Sequence, residues 1–345
     1  MQPSQNAGRI NYIDGLRGFT MILVVLSHVF LSMSPNNWDG HPLASILMSF
    51  RMPLFFFVSG YFAYKSFDRW TGKVVGDIVV RKIRAQVLCT TIFFMLYQMV
   101  KQLPVLDMVN GFGVFWFTIA LFQMFLLYIG LNLLSRLINR NIVDISLIAL
   151  SIVSLFFGLY IFKDGIGVML SWHQIIIYFQ FFATGILVRR HWDKVERLLD
   201  NDTFRTIVIL LFVGGCFYFY SGNYHMPKTL DEYLTQGVLH RYTGMLTVLI
   251  FFHSRREFFS ADAPVARFLR FTGKRTLDIY MMHMFFMPQL WQTGWFVKLW
   301  PAYMAVPKLA VALLIALAIV ALCLLCSNIL RLSHFLEVWL FGVKK

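Results

Sequence analysis

The chain is 345 residues long, and 58% of its residues are hydrophobic while only 14% are charged. This balance excludes an ordinary soluble domain, which does not need so much apolar surface to build its core. The formal net charge of +14 would suit nucleic-acid binding, but the basic residues crowd alternate loops, which indicates membrane topology instead.

Apolar runs of about 17 to 25 residues recur along the whole chain, and each is long enough to cross about 30 Å of hydrocarbon as a helix. We therefore predict an all-α polytopic transmembrane bundle with about ten spans. No long polar stretch is left over, so we expect residues 1–345 to form a single transmembrane domain. The predicted spans are 14–34, 43–64, 85–103, 112–133, 142–162, 172–188, 206–221, 237–253, 276–293 and 306–330.

The placement of lysine and arginine residues predicts the orientation of the bundle. The segments on one side carry most of the 31 basic residues. The segments on the other side carry Lys101, Lys163, Lys228, Lys298 and Lys308. Because basic side chains near span ends resist translocation, the basic side is expected to be cytoplasmic, with both termini there. The N-terminus has no small-residue cleavage site, so we expect a retained first helix and no cleaved signal.

His28 is the first ionisable side chain inside an apolar run, and such a residue indicates function because its burial in a bilayer is costly. It follows Arg17 by eleven positions, or three helical turns plus roughly 20°, so both side chains share one face about 16 Å apart. One ligand can therefore touch both. The structural alternatives are a His28 that only joins helices and an Arg17 that only anchors the membrane edge. Asp14 either caps this helix or pairs with Arg17.

Arg51 lies about eight residues into the second predicted span, close to Pro53, which removes a helical hydrogen bond. An irregular backbone at this depth predicts a cavity. The alternative is a purely structural Arg51. Further down the same span, Ser59 and Gly60 are expected to allow close helix approach.

The loop after the second span ends in RKIR, which places Arg81 and Arg84 one turn apart, with Lys82 between them. Guanidinium groups grip phosphate oxygens bidentately, so this motif predicts an anion clamp on the cytoplasmic face. The alternative is topogenic positive charge alone.

The later spans add polar and aromatic candidates. Trp116 and Arg241 lie near the outer ends of the fourth and eighth predicted spans, although an interfacial belt is the favoured alternative for Trp116. The motif LDIYMMH puts His283 near mid-membrane, with Tyr280 one turn earlier and Asp278 near the inner end.

All four cysteines lie inside apolar runs, where they act as small hydrophobic residues. Cys323 and Cys326 have the spacing of half a metal site, but no second pair lies nearby, so no metal is expected.

The segments YIDGLRGFTMILVVLSH and FRMPLFFFVSGYF together resemble the opening of the acyltransferase family 3 membrane proteins. RKIR, WFTIALF and LDIYMMH follow in the family's usual order, and the resemblance covers most of the chain. Its most specific signals are the spacing of Arg17 and His28 and the Arg81 and Arg84 pair. One departure is AQVLCT after RKIR, where the family often has a proline.

The resemblance implies a multi-pass O-acyltransferase of the bacterial inner membrane. Family members move acyl groups, commonly acetyl or succinyl, from cytoplasmic coenzyme A to surface or exported carbohydrates. The expected donor is therefore acyl-coenzyme A, foremost acetyl-coenzyme A. Partners are the carbohydrate acceptor and the lipid bilayer, and nucleic acid is not expected.

With that donor and acceptor, roles can be assigned to the candidate residues. His28 is expected to act as general base, and Arg51 to stabilise the developing oxyanion. The phosphate-binding residues are expected to be Arg17, Arg81, Lys82 and Arg84. The acceptor side is expected to use Trp116, Arg241, Tyr280 and His283, with His283 orienting either the base or the acceptor.

Three alternatives stay open at the level of sequence. His28 can carry the acyl group covalently, because neutral imidazole attacks thioesters. A transporter of an anionic or sugar-containing molecule also needs buried arginines and histidines. A regulatory protein that kept the scaffold is the third, against which the retained Arg17, His28 and Arg51 argue.

Overall fold

The computed structural model describes residues 11–33, 42–64, 72–102, 112–138, 142–164, 171–218, 233–290 and 305–341. These residues form helices and short turns, with no strand among them. The helices are α1 (Asn11–Ser32), α2 (Pro42–Ala63), α3 (Gly72–Lys82), α4 (Cys89–Lys101), α5 (Trp116–Leu137), α6 (Ile142–Asp164), α7 (Trp172–Arg190), α8 (Trp192–Leu199), α9 (Asp202–Tyr218), α10 (His240–Ser254), α11 (Arg256–Ser260), α12 (Pro264–Lys274), α13 (Thr276–Met282), α14 (Ala305–Leu330) and α15 (His334–Phe341).

Four shorter helical segments adjoin these helices. Two are π-helical: Ile83–Leu88 joins α3 to α4, and Tyr233–Leu239 runs directly into α10. The other two are 3-10 turns: Gly113–Phe115 leads into α5, and His283–Phe286 continues α13. A π-helical turn is wider than an α-helical turn, so each π segment rotates the side chains that follow it relative to those before it.

The membrane class predicted from composition is confirmed, whereas the number of spans is not. Among the described residues, five helical stretches are long and apolar enough to cross a membrane. These are Asn11–Ser32, Ile46–Ala63, Gly72–Lys101, Gly113–Ser135 and Pro307–Leu330. A shorter apolar helix covers Ile142–Phe157. Each of the ten predicted spans overlaps a helix, but about ten crossings stay a prediction.

Two predicted spans differ from the observed helices in ways that affect the site. In the span predicted at 276–293, the helix that begins at Thr276 ends at Phe286, and the backbone is extended at Met287, before Pro288. Residues 291–293 of this span lie outside the described residues. The second span was expected to be irregular at Pro53, but α2 continues through that residue as one helix. The expected break is therefore wrong, because the rest of α2 stays helical despite the one backbone donor that a proline lacks.

Pairs of glycines set the closest helix contacts in the bundle. A Cβ atom on Gly18 of α1 would overlap the carbonyl oxygen of Leu269 in α12, and one on Gly273 would overlap the carbonyl oxygen of Asp14. Small residues let two backbones approach this closely, and apolar helices in membranes pack well through such contacts. The contact fixes the N-terminal part of α1 against the amphipathic helix α12.

A second pair of glycines brings the backbones of α2 and α7 into close contact. A Cβ atom on Gly60 would overlap the carbonyl oxygen of Phe182, and one on Gly185 would overlap that of Phe57. The packing role predicted for Gly60 is thus confirmed. Its neighbour Ser59 lines a cavity.

Asp278 connects α13 to the C-terminal helices. Its carboxylate is buried and accepts hydrogen bonds from Arg331 at 2.9 and 3.1 Å through Nη2. Arg275 donates at 3.3 Å and the Ser327 hydroxyl at 2.5 Å. Arg331 also pairs with Glu337 of α15 at 3.1 Å. Because two arginines and a hydroxyl surround the carboxylate, Asp278 is a structural anchor for the helix that leads to His283.

Candidate active site

Two neighbouring cavities open among α1, α2, α5, α13 and the segment that joins α3 to α4. The first has a volume of about 270 Å³ and is lined by Arg17, Phe55, Ser59, Arg81, Lys82, Ala85, Gln86, Phe117, Thr118, Leu121, Thr276, Leu277 and Tyr280. The second has a volume of about 260 Å³ and is lined by Arg17, Ser59, Phe62, Ala63, Ile78, Arg81, Lys82, Gln86, Leu121, Phe125 and Phe182. The two linings share six residues, so they are two chambers of one site.

Three cations lie in the shared lining: Arg17 from α1 and Arg81 and Lys82 from the end of α3. The Arg17 guanidinium lies 5.5 Å from the centroid of the Phe62 ring, and Lys82 Nζ lies 4.7 Å from that of Phe125. Such contacts with ring faces hold cationic groups in place. Neither lining includes an aspartate or glutamate among the described residues, so the chambers have the charge of an anion site.

Arg84 is not brought to these chambers with Arg81. Its side chain is exposed and absent from both linings. The physical reason is the π-helical segment Ile83–Leu88, in which the Cys89 N–H reaches back five residues to the Arg84 carbonyl. The wider turn rotates Arg84 away from the direction that an α-helix would give it. Lys82, which the sequence treated as added charge, takes the place beside Arg81.

His28 lies against His283, with 5.2 Å between the centroids of their rings. His283 Nδ1 lies 2.8 Å from the Tyr280 carbonyl oxygen and 3.2 Å from that of Ile279. Since both neighbours are acceptors, the proton of the neutral ring is on Nδ1 and Nε2 keeps a lone pair. Nε2 is buried and has no hydrogen-bond partner among the described residues. His28 is partly accessible, unlike its buried neighbours Ser27 and Val29.

Arg51 reaches the same stretch of α1. Its Nη1 donates to the carbonyl oxygen of Val24 at 3.4 Å, and the Ser27 hydroxyl donates to that oxygen at 2.6 Å. Val24 lies one turn before His28, so Arg51 contacts the turn of helix that carries the histidine. The predicted proximity of Arg51 and His28 is supported, although Arg51 is absent from both cavity linings.

Tyr280 lies between the cavity and the histidine pair. Its hydroxyl donates to the Val114 carbonyl at 3.0 Å and accepts from the Phe117 N–H at 3.2 Å. Its ring centroid lies 5.8 Å from that of His283, and the residue lines the first chamber. Because both hydroxyl bonds go to backbone at the start of α5, Tyr280 fixes the position of α13 there. Arg17 and His28, which were expected to touch one ligand directly, are thus connected through Tyr280 and His283.

Trp116 and Arg241 meet at a residue that the sequence did not single out. The Trp116 ring stacks on Tyr178 with centroids 5.8 Å apart, and the Arg241 guanidinium lies 5.8 Å from the Tyr178 centroid. The Phe56 ring also stacks on Tyr178, with centroids 5.1 Å apart. No sequence signal distinguished Tyr178 from the other aromatic residues of α7. Two predicted acceptor residues therefore share one aromatic cluster, which lies outside both chamber linings but contacts Phe117 of the first chamber.

One group of possible metal ligands lies outside this site. Single ligand atoms of Glu196, Asp200 and His253 lie within 4.8 Å of one another. Arg256 Nη1 is 3.0 Å from His253 Nε2 and 3.3 Å from Asp200 Oδ1. A guanidinium already provides the positive charge there, so the group is explained as a structural ion-pair network.

Comparison with known proteins gives one family and a set of partial matches. A family model described as an acyltransferase domain matches residues 10–328. Proteins named glucans biosynthesis protein C from Salmonella schwarzengrund, Salmonella typhi and Salmonella typhimurium are each 30% identical to the chain over 110 residues. This stretch is 28% of the chain and 29% of each relative, so the match spans less than a third of their length. No solved structure matches the chain.

The fold and site define an all-helical, multi-pass membrane protein with an internal cation-lined cavity. The family match covers nearly the whole of that bundle. The chain belongs to acyltransferase family 3 and carries its acyltransferase domain.

Proposed function

We propose that the protein transfers an acetyl or other short acyl group from cytoplasmic acyl-coenzyme A to a hydroxyl of a surface or exported carbohydrate. The observation that carries the proposal is the connection from the cation-lined chambers, through Tyr280, to the His28 and His283 pair. A donor with phosphates at one end and a thioester at the other requires this arrangement. The phosphate site and the base must be far apart and joined by a narrow path.

The chambers suit the chemistry of coenzyme A. Arg17, Arg81 and Lys82 offer the positive charge that its phosphates need. Apolar and aromatic side chains make up much of the remaining lining, which suits the nucleobase and the aliphatic parts of the pantetheine arm. Arg84 lies outside and adds to the positive potential at the entrance rather than to the direct contacts.

His28 acts in this proposal as the general base. It takes the proton of the acceptor hydroxyl while the hydroxyl oxygen bonds to the thioester carbonyl carbon. Arg51 stabilises the negative charge that develops on the carbonyl oxygen. The carbon–sulfur bond then breaks, and His28 returns the proton to the departing thiolate. The His283 ring, fixed through Nδ1, limits where the His28 ring can lie.

A covalent route through His28 uses the same residues. The imidazole nitrogen attacks the thioester carbonyl, coenzyme A leaves as the thiol, and the acceptor hydroxyl then displaces the histidine. Trapping an acylated His28 peptide from membranes incubated with donor alone separates this route from direct transfer.

The acceptor is proposed to bind at the cluster of Trp116, Tyr178 and Arg241. Aromatic faces and a guanidinium are suited to sugar rings and their hydroxyls. The name of the relatives, glucans biosynthesis protein C, supports a carbohydrate acceptor. The proposed topology has about ten spans in the bacterial inner membrane, with both termini cytoplasmic.

The direct test is acyl transfer in membranes that carry His28→Ala. We expect a fall of about a hundredfold or more, the usual contribution of a general base. The exposed His334, at the start of α15, gives the matched control His334→Ala. Undiminished transfer by His28→Ala at normal protein level would disprove the mechanism. If the protein exported an anionic cargo and transferred no acyl group, a transporter would be favoured instead.

A further inference from the structure

Gln86 is a buried polar residue that neither the sequence motifs nor the proposed mechanism uses. It lies in the π-helical segment Ile83–Leu88 and lines both chambers. Its exposed fraction is 6%. The amide oxygen Oε1 is buried and has no hydrogen-bond partner among the described residues. A polar atom in this position indicates that the site is complete only with a ligand.

The reason is the cost of an unsatisfied acceptor. Most buried polar atoms in proteins have a hydrogen-bond partner, since losing the bond to water without replacement destabilises the fold. A leucine or methionine would fill the same volume without that cost. Retaining glutamine on the wall of a cavity is explained if a ligand donates a hydrogen bond to Oε1.

The ligand that fits must carry two kinds of group. Arg17, Arg81 and Lys82 in the same lining call for anionic oxygens. Ionised phosphates have no proton to donate, so they cannot satisfy the Gln86 oxygen. The ligand therefore also bears an N–H or O–H group close to its phosphates. The pantetheine arm of coenzyme A carries such donors beyond its pyrophosphate: one hydroxyl and then, further toward the sulfur, two amide N–H groups.

The local backbone holds Gln86 in place for this contact. The Thr90 hydroxyl donates to the Gln86 carbonyl oxygen. Thr90 Oγ1 also lies 2.7 Å from Thr118 Oγ1, and the Thr118 hydroxyl lies 3.0 Å from the Phe115 carbonyl oxygen. These bonds join the π-helical segment to the start of α5. Thr118 lines the first chamber with Tyr280, on the side that leads to the histidine pair.

We propose that Gln86 is a donor-binding residue whose amide oxygen accepts a hydrogen bond from a pantetheine amide N–H of acyl-coenzyme A. The inference rests on the proposed function, since it assumes that donor. The position of Gln86 favours the arm over the adenine amino group, because Gln86, Thr118 and Tyr280 together line the chamber nearest His283. Gln86 thus sets how far the arm, and with it the thioester, extends toward His28.

The test measures binding to the purified full-length protein in lipid nanodiscs by calorimetry, independently of turnover. The ligands are coenzyme A and its nucleotide part alone, adenosine 3′-phosphate 5′-diphosphate. The variants are Gln86→Met, which keeps the volume but removes the amide, and Arg81→Ala. Gln98→Met is the matched control, because Gln98 is buried in α4 and absent from both linings.

We expect Gln86→Met to weaken coenzyme A binding about fivefold to tenfold, the value of one hydrogen bond, and to leave nucleotide binding unchanged. Arg81→Ala should weaken both ligands, and Gln98→Met neither. Unchanged coenzyme A affinity in Gln86→Met overturns the inference. So does an equal loss for both ligands, which would assign Gln86 to the nucleotide.

A second measurement on the unmodified protein keeps the inference testable if Gln86→Met does not fold. Coenzyme A methylated on either pantetheine amide nitrogen lacks that donor. One of the two analogues should bind about fivefold to tenfold more weakly than coenzyme A. Equal binding of both analogues and coenzyme A overturns the role of Gln86. Wild-type protein that binds no coenzyme A at all overturns the proposed donor instead, and the inference with it.

Discussion

The rings of His28 and His283 lie 5.2 Å apart by their centroids, one carried by the first helix and the other by the 3-10 turn that continues α13. His283 is fixed by its Nδ1 bonds to α13, whereas His28 is partly accessible. The pair therefore consists of one ring held by backbone and one residue that is only partly buried.

The different settings of the two histidines predict how a substitution of His283 changes the kinetic constants. His283→Gln should lower kcat about tenfold while leaving the KM for donor nearly unchanged, because it alters the position of the base without touching the phosphates. Steady-state kinetics in membranes would measure both constants. The control is His334→Gln, on the exposed start of α15. A rise in donor KM with unchanged kcat would contradict a positioning role for His283.

The rotation of Arg84 by the π-helical segment predicts unequal roles for the two arginines of RKIR. Arg81→Ala should raise the KM for acyl-coenzyme A about tenfold or more, as loss of a charge-assisted hydrogen bond does. Arg84→Ala should change it less than threefold, since only long-range attraction is lost. Rates of acyl transfer at varied donor concentrations give the KM of each variant. Equal effects of the two substitutions on this KM would instead support the anion clamp of Arg81 and Arg84 that the sequence predicts.

The glycine contact between α2 and α7 predicts a large effect of a single methyl group. Gly60→Ala would place a Cβ atom against the Phe182 carbonyl oxygen and should cost about 1–3 kcal/mol of stability. Gly130→Ala in α5 is the matched control, because nothing lies within 4 Å of its Cβ position. Thermal unfolding in detergent compares the two. Similar melting temperatures would show that α2 and α7 can separate freely.

The contacts of Asp200, in the turn between α8 and α9, predict that the protein loses stability at acidic pH. Burial acts to raise its pKa, but hydrogen bonds from His253 and Arg256 outweigh this and lower the pKa below its ordinary value of 3.8. Arg205 adds an ion pair at 3.0 Å. A lowered folded-state pKa gives stability that is present above about pH 4 and lost as the pH falls toward the folded-state value.

Melting temperatures of the wild type and Asp200→Asn between about pH 3 and pH 7 test this. The wild type should lose stability as the pH falls through the lower part of that range, and the variant should lose less. Asp193→Asn, on the neighbouring helix α8, is the control for a general change in charge. Parallel curves for the wild type and Asp200→Asn would rule out the linkage.

Much of the fold followed from the sequence because charges and apolar runs leave strong signals. An ionisable residue such as His28 or Arg51 stands out within an apolar run, since its burial is costly. Likewise, each predicted span overlaps an observed helix. The glycine of α2 was identified because small residues mark close packing.

The remaining features left no such signal. The contact of His28 with His283 joins the first helix to a late one, and nothing local encodes it. Gln86 and Tyr178 are neutral residues, so neither is costly enough in an apolar run to be noticed. The π-helical turn has no composition of its own, so the sequence did not show that Arg84 belongs to it and lines neither chamber.

The glycine contacts have a consequence for how a donor enters. Gly18 and Gly60 lie toward those ends of α1 and α2 that also carry Arg17 and Ser59, which line both chambers. Backbones in direct contact have no slack there, so α1 stays against α12 and α2 stays against α7, and neither wall can move away from its own partner. We expect the donor to enter beside α3, where Ile78 is the one fully buried side chain and Val74, Val75 and Val79 are only partly buried against the core. The rate of donor entry and release would then depend on movement of α3 rather than of α1 or α2.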